Sequence, residues 1–493
     1  MSLSYVNAGT PADYRGSAVY IKYGKFDKFE VLEDSTRYLH VICPDRELWI
    51  CGHGYMEYQN PMINDYDEVV DLNLFGENCE VKQFMINHCD FLNPKTHLDK
   101  KKGKGSLIFC DSGGFQIATG RVTVVNPINL VKFYNKNADL GMILDIPDYN
   151  EGGCFSDEIV QQLADIQKRN TDYMLKYKDD SVELINVIHG GTPEQKFNYL
   201  KAVHSDRIHK LAIPSVGIGM DIKRLNFILE LLKLAKSLGT YNHFHLLGTF
   251  NKGLLLTMAK FANCKIPEIE GVNFTTDSSA ALMNSSNLSY YKNISIWEGL
   301  DKFSPNKNER IIQIDLGRKS FENNFNKFNE FCELPCQCPV CRAIKYTYVF
   351  RYLNGGILRN SLFYYHNCLE TEKYVSMLDR FAKNLTWKEY TEMVKRLQDT
   401  DDSDTLLNLK FLHDVEKLGL EKAQEKYKHY LDEKPKANLK SLLATKTNQR
   451  DQDLLDNIHN LIDQYKNIDF ENYNEDVKVS NSKFNVRIKR ERV

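Results

Sequence analysis

The chain has 493 residues, of which 42% are hydrophobic and 26% are charged, and its 64 Lys and Arg nearly balance 66 Asp and Glu. This composition is typical of a soluble globular protein. The formal net charge of −2 excludes a generally basic surface of the kind that announces a nucleic-acid partner, although a local basic patch is still compatible with it.

The chain contains no apolar run of about 18 residues, so we expect no membrane span. Its first residues lack the basic-then-apolar pattern of a secretory signal. The 12 cysteines are therefore expected to be reduced thiols in a cytoplasmic protein, where their spacing matters more than their number.

Short apolar segments alternate with helix-like segments, most regularly from about residue 106. The predicted strands cover residues 38–44, 82–87, 106–111, 141–147, 182–191, 210–219, 243–250 and 271–279. A sustained alternation of this kind predicts a parallel sheet. Eight candidate strands, and no G-x-G-x-x-G after an early strand, favour a (β/α)8 TIM barrel over an open dinucleotide-binding sheet.

Local signals mark where the intervening helices begin. Asn126 is a predicted N-cap with Pro127 at the first helical position, and Ser156 precedes a first turn rich in acids. Thr192 and Gln195 form a capping-box pattern. These residue types satisfy the backbone N–H groups that a helix start leaves without partners.

The chain changes character near residue 357, beyond which only one Gly and one Pro occur among many charged residues with Leu at helical spacing. We therefore predict three regions: a barrel core over 1–330, a zinc-binding subdomain over 331–370, and a charged helical C-terminal region over 371–493. The basic end, residues 482–493, is either a solvated tail or a nucleic-acid contact.

Ionisable side chains follow several predicted strands. Asp111, Asp145, His189 and Asp277 all stand at strand ends, which is where TIM barrels carry their active sites. Each Asp alone could equally be a helix N-cap. Together they suggest a pair of carboxylates, one acting as nucleophile at a sugar C1′ and the other moving protons for the leaving group.

A second cluster lies in "LPCQCPVC", where Cys336, Cys338 and Cys341 are followed downstream by His366. Three thiolates and one imidazole form a closed tetrahedral zinc site, which is structural rather than catalytic. Cys332 and Cys368 are nearby alternatives, and unliganded buried thiols are the competing interpretation.

These segments together resemble the tRNA-guanine transglycosylase family. "DSGGFQ" is similar to the segment around the family's acid/base aspartate, "LDIP" to its base-recognising segment, "FTTDSS" to its archaeal-type nucleophile segment, and "LPCQCPVC" with "YYHN" to its zinc motif. The similarity covers roughly residues 80–370.

The resemblance implies that Asp277 is the nucleophile, Asp111 the general acid/base and Asp145 the reader of the base. His189 stands where the family usually has Gln, and Ser215 and Val216 stand where a Gly-Leu or Gly-Val pair is usual, so the base contacts should differ. The further expected substrate-binding residues are Ser112, Gly113, Phe115 and Gly217.

The implied activity is that of a pentosyltransferase, which exchanges guanine for a 7-deazaguanine derivative such as 7-cyano-7-deazaguanine (preQ0) with structural Zn2+ as cofactor. The basic stretch that follows the nucleophile in bacterial tRNA enzymes is missing, and the C-terminal region is too helical for the β-rich RNA-binding domains of archaeal ones. Both departures favour the DNA-modifying branch, found in phage and bacteria, and hence a bacterial or phage-infected cytoplasm.

Three alternatives remain at this stage. The nucleic acid could be tRNA, the chain could be a non-catalytic accessory subunit, or it could bind nucleic acid through a zinc-stabilised fold without chemistry. A homodimer is typical of the family. The candidate basic contacts are residues 101–105, 317–320 and 487–492, although each of these segments could also be a solvated face.

Overall fold

The structure is a computed structural model. It describes residues 2–9, 17–34, 38–52, 65–72, 74, 79–91, 106–122, 124–147, 155–214, 221–239, 241–248, 252–286, 289–292, 312–315, 333–334, 336–346, 348–349, 356–397, 403–432 and 448–473.

Eight parallel strands close into a barrel, which confirms the predicted (β/α)8 fold. Its first strand pairs with both the last and the second, and so closes the ring. In chain order the barrel strands are β1 (Leu3–Ala8), β7 (Gln83–Asn87), β8 (Leu107–Asp111), β9 (Leu140–Met142), β10 (Glu183–Val187), β11 (Lys210–Pro214), β12 (His243–Leu247) and β13 (Asn273–Ser278).

The segment over residues 38–44 was wrongly predicted to be a barrel strand. It forms part of a separate five-stranded sheet, whose strands in spatial order are β3 (Glu30–Asp34), β4 (Tyr38–Cys43), β5 (Arg46–Gly52), β2 (Ser17–Tyr23) and β6 (Glu68–Asp71). Only Pro44 and Asp45 separate β4 from β5, and so short a connection can join only antiparallel neighbours. An antiparallel pair, β14 (Ser289–Lys292) and β15 (Ile312–Asp315), follows the barrel.

The helices between the strands begin where their caps predict. Asn126 accepts from the Ile128 N–H, Ser156 accepts from the Ile159 N–H, and the capping box of Thr192 is complete. These helices are α1 (Gly114–Ala118), α2 (Pro127–Asn137), α3 (Asp157–Tyr177), α4 (Pro193–Val203), α5 (Ile222–Leu238), α6 (Lys252–Phe261) and α7 (Ala280–Ser286), with 3-10 turns at His88–Phe91 and Pro267–Ile269.

The region after the barrel is helical, as predicted. Its helices are α8 (Pro339–Ile344), α9 (Gly356–Asn384), α10 (Trp387–Leu397), α11 (Ser403–Leu418), α12 (Leu420–Lys426), α13 (Lys428–Asp432) and α14 (Asn448–Asn467). None of the helices in the described part of the chain combines the length and apolar character that a membrane span requires.

The C-terminal helices are packed rather than fully solvated. The buried Lys260 ammonium donates to the carbonyls of Ala382 (2.8 Å) and Leu385 (3.0 Å), and so satisfies acceptors at the end of α9. The Arg169 guanidinium does the same for α14 through the carbonyls of Tyr465 and Lys466. A buried cation stays charged only when hydrogen bonds of this kind replace its lost hydration, and burial lowers the pKa of Lys260.

The chain divides into two compact units. The first comprises Met1–Ile86, His97–Phe109 and Ala212–Glu433, and the second comprises Asn87–Thr96, Cys110–Leu211 and Lys434–Val493.

Candidate active site and metal centre

The second unit contains a buried hydrogen-bonded group built around Asp145, which follows β9. Oδ1 of Asp145 accepts a bond of 2.5 Å from the Ser112 hydroxyl, and Oδ2 lies 2.7 Å from Nε2 of His189. Asp145 is 7% exposed and His189 is 2% exposed. The structure therefore joins three predicted substrate-binding residues, and both oxygens of the carboxylate already hold one partner.

Asp111, at the end of β8, is half-buried and held by a residue that the sequence analysis missed. Nδ2 of Asn87 donates to Oδ2 of Asp111 at 2.8 Å, while Oδ1 of Asn87 accepts from the Cys89 N–H at 2.9 Å. The second bond fixes which way the amide faces, so that its N–H2 points at the carboxylate. Asn87 ends a predicted strand, and that position was the available signal.

The glycines of "DSGGFQ" are required by two close approaches. Gly113 has a φ of 81°, and a Cβ there would lie 2.2 Å from Sγ of Cys89. A Cβ on Gly114 would lie 2.4 Å from the carbonyl oxygen of Asp145. Only glycine fits either position. The chain can therefore turn into α1 directly against the Asp145 group.

Phe115 occupies the first turn of α1 and is half-buried. The Arg121 guanidinium lies 6.0 Å from the centre of its ring. The structure therefore places this predicted substrate-binding ring beside a cation at the start of α1.

The first unit holds Asp277 near the end of β13, with 5% of its surface exposed. Its Oδ1 accepts from the Gly248 N–H at 2.6 Å and lies 3.3 Å from Nε2 of His245. Oδ2 receives no hydrogen bond from the residues that the structure describes. The carboxylate is thus fixed through one oxygen.

These contacts bear on the alternative that the strand-end acids are helix caps. Helix α1 starts at Gly113 without a side-chain cap, and α3 is capped by Ser156. Near α7 it is Ser278, not Asp277, whose side chain accepts from the Ala280 N–H at 3.0 Å. Asp145 and Asp277 are therefore occupied by other contacts.

The predicted metal ligands come together in the first unit. The ligand atoms of Cys336, Cys338, Cys341 and His366 all lie within 4.8 Å of one another, and all four residues are buried. Nδ1 of His366 is 3.3 Å from Sγ of Cys338 and 3.4 Å from Sγ of Cys341. The cluster can therefore hold one metal ion.

The surroundings of the cluster match what a bound cation needs. Nε2 of His366 lies 2.7 Å from the Tyr291 carbonyl oxygen, so it carries the ring proton and leaves Nδ1 as the ligand atom. Hydrogen bonds from the neighbouring thiols of Cys336 and Cys341 lower the pKa of Cys338, whereas burial raises the pKa of Cys341. Thiolate is the form that binds metals.

Charges from the five-stranded sheet hold the short helix that carries Cys341. The Arg46 guanidinium donates to the carbonyls of Arg342 and Ala343, each at 3.3 Å, and the Lys345 ammonium donates to Asp45 at 2.7 Å. The chain turn after α8 is thereby fixed through residues from the β4–β5 hairpin.

Several predicted residues lie outside the described part of the chain. They are Ser215, Val216 and Gly217 of the base pocket, the alternative ligand Cys332, and the three basic segments 101–105, 317–320 and 487–492. Cys368 is described and buried, but it does not belong to the four-residue cluster.

No protein-family model matches this chain, and no curated protein matches it.

Proposed function

We propose that the protein is a base-exchange transglycosylase that replaces guanine in DNA with a 7-deazaguanine derivative. The observation that carries the proposal is the state of Asp277, a carboxylate on a barrel strand with Oδ1 held by the Gly248 N–H and Oδ2 without a hydrogen bond from the described residues. A carboxylate fixed through one oxygen can attack with the other.

In the first step Oδ2 of Asp277 attacks C1′ of the target nucleotide, and the C1′–N9 bond breaks. Asp111 donates a proton to the departing guanine, and the enzyme keeps the nucleotide as a glycosyl ester. A positioned acid contributes about 10²- to 10⁴-fold to such a step. The Asn87 amide, 2.8 Å from Oδ2 of Asp111, orients that acid.

In the second step N9 of the 7-deazaguanine attacks C1′, and the ester to Asp277 breaks. The N9 proton passes to the Asp111 carboxylate, which restores the acid for the next cycle. One glycosidic bond replaces another, so the reaction needs no ATP. Attack twice on the same carbon retains its configuration.

Asp145 is the residue that we assign to the base edge. Guanine presents N–H donors on its Watson–Crick edge, and an ionised carboxylate only accepts hydrogen bonds. Ser112 binds Oδ1 and His189 binds Oδ2, but each of these oxygens can accept a second hydrogen bond. We therefore expect the base to add to this network without displacing either partner.

We assign Zn2+ to the cluster of Cys336, Cys338, Cys341 and His366. Three thiolates and one imidazole close a tetrahedral zinc shell and leave no position for substrate. Zinc there would stabilise the fold and take no part in the chemistry.

DNA is the favoured substrate because the helical C-terminal region does not resemble the RNA-binding domains of tRNA enzymes. Guanine in a duplex has to leave the stack before C1′ is accessible, at a cost of a few kcal/mol. Phosphate contacts would offset this cost.

The test is to incubate the protein with radiolabelled 7-cyano-7-deazaguanine and either guanine-containing DNA or tRNA. We expect label in DNA and a denaturation-resistant protein–DNA adduct, both lost in Asp277→Ala. The matched control is Asp165→Ala, because Asp165 is exposed on α3. Label in tRNA alone would favour the tRNA enzyme, and neither product would favour an accessory protein.

A further inference from the structure

Three polar side chains continue from Asp277 into the barrel, all on the neighbouring strands β12 and β13. Oγ1 of Thr275 lies 2.7 Å from Nδ1 of His245 and 2.7 Å from Nε2 of His243. His245 is opposite Thr275 in the parallel pairing of the two strands. Because side chains alternate along a strand, His243, His245, Thr275 and Asp277 share one face.

This group is buried, so its hydrogen bonds cannot be exchanged for bonds to solvent without cost. His245 is 0% exposed and Thr275 is 4% exposed, whereas His243 is half-buried. The Phe109 ring lies 5.9 Å from the His245 ring and 6.2 Å from the His243 ring, centre to centre. An aromatic wall of this kind limits the positions that the imidazoles can take.

The donor and acceptor at each of these hydrogen bonds follow from which ring nitrogen of His245 carries the proton. Nε2 of His245 lies 3.3 Å from Oδ1 of Asp277 and has no well-aligned hydrogen bond among the described residues. If Asp277 is ionised, a lone pair on Nε2 would repel it, so Nε2 carries the proton and Nδ1 is an acceptor. The Thr275 hydroxyl then donates to His245 and accepts from Nε2–H of His243.

We propose that His243, Thr275 and His245 form a directed hydrogen-bond chain whose last N–H, on Nε2 of His245, faces Oδ1 of Asp277 at 3.3 Å, attracts that oxygen electrostatically and leaves Oδ2 for attack. His245 is a positioning residue, acting through Asp277, and Thr275 sets its tautomer. The inference rests on the proposed function, because it assigns the nucleophilic oxygen of that reaction. It also explains why the Gly248 N–H donates to the same oxygen that Nε2 of His245 faces at 3.3 Å.

Two substitutions of His245 distinguish the role of its Nε2 from that of its Nδ1. A Gln amide can place an N–H near the position of Nε2, whereas the shorter Asn reaches only the position of Nδ1. We expect His245→Gln to form the covalent adduct within about threefold of the wild-type rate, and His245→Asn to be slower by about 10- to 100-fold. The opposite order would overturn the proposal.

Thr275→Val tests the tautomer, because it removes the hydroxyl at nearly constant volume. We expect adduct formation about tenfold slower, since His245 can then turn a lone pair toward Asp277. The control is Thr276→Val, because the hydroxyl of Thr276 donates to the Leu246 carbonyl (3.2 Å) rather than to His245. Equal rates for the two valine variants would contradict the chain.

A measurement without substrate tests the chain independently of activity. In protein with 15N-labelled histidine, the His245 signals are assigned by their loss in His245→Gln, and we expect the Nε2–H tautomer. A ring protonated on Nδ1, alone or together with Nε2, would overturn the proposed direction. If wild-type protein forms no adduct with DNA or tRNA, the proposed function fails. The tautomer of His245 still tests the proposed direction of the hydrogen bonds, because it is measured without substrate.

Discussion

At the scale of single residues, the acids are recognisable in the sequence but their partners are not. Asp111 is held by Asn87, which lies 24 positions away, and Asp145 by His189, which lies 44 positions away. Hydrogen bonds to a carboxylate decide which oxygen is free and which protonation state is favoured. The chemistry of the site therefore depends on these hydrogen-bond donors as much as on the acids.

Asn87→Asp should expose this dependence on hydrogen-bond donors. It is isosteric and keeps an acceptor for the Cys89 N–H, but it replaces the donor to Asp111 with a second carboxylate. Repulsion favours a proton shared by the pair. That proton is held more tightly and is a poorer donor to guanine, so we expect base exchange to fall about 10- to 100-fold at neutral pH.

A pH–rate profile measures the effect, and its alkaline limb, where the proton-donating acid loses its proton, should move to higher pH. Asn135→Asp is the control, because Asn135 contacts the Tyr177 carbonyl and the Asp179 N–H instead of a carboxylate. An unchanged profile in Asn87→Asp would show that the amide has no role in orienting Asp111.

At the scale of elements, helix α9 serves two parts of the first unit. His366 reaches the metal cluster, while Glu372 accepts from the Lys82 and Gln83 N–H groups and from the Asn7 amide. Asp379 accepts from the Leu3 N–H at 2.7 Å. One helix thus fastens the strands β1 and β7, which meet where the barrel closes.

Glu372 predicts a dependence of stability on pH. Burial raises its pKa to about 7, against the opposing effect of its hydrogen bonds. A raised carboxyl pKa means that the folded state binds the proton more tightly. This contribution to the free energy of unfolding is present at acidic pH and is lost as pH rises through 7.

We expect the wild-type free energy of unfolding to fall by about 1 kcal/mol more between pH 6 and pH 8 than that of Glu372→Gln. Urea titrations at the two pH values measure it. Glu425→Gln, on the exposed side of α12, is the control and should follow the wild type. An identical pH dependence in Glu372→Gln would exclude this carboxyl as the source.

At the scale of the whole molecule, the fold depends on contacts between segments that are far apart in the sequence. The first strand completes the barrel by pairing with a strand some 270 positions later, as in Leu3 with Phe274. The metal cluster joins α8 to α9, and the Tyr291 carbonyl joins β14 to the same histidine. Such closures cost chain entropy, which a metal site can offset.

Cys338→Ser should therefore affect the fold. We expect wild-type protein to bind one zinc per chain by elemental analysis, and the variant to lose it together with about 4 kcal/mol or more of unfolding free energy. Cys368→Ala is the control, being a buried cysteine of α9 outside the cluster. Full zinc content in Cys338→Ser would remove Cys338 from the ligand set.

The features that could be predicted from the sequence are those that residues close together in the chain produce. Strand and helix alternation predicts the barrel, caps such as Asn126 and Thr192 predict helix starts, and the C-x-C-x2-C spacing predicts the metal ligands, because each pattern acts within a few residues. His366, predicted as the fourth ligand, does lie within the cluster of the three cysteines.

The tertiary structure decided which distant segments meet. An apolar run such as residues 38–44 shows that a strand forms but not which edge it joins, so only the folded chain reveals that β1 completes the barrel. The contacts of Asn87 and His245 were likewise out of reach, since strand pairing and packing over tens to hundreds of residues determine which donor lies beside which carboxylate.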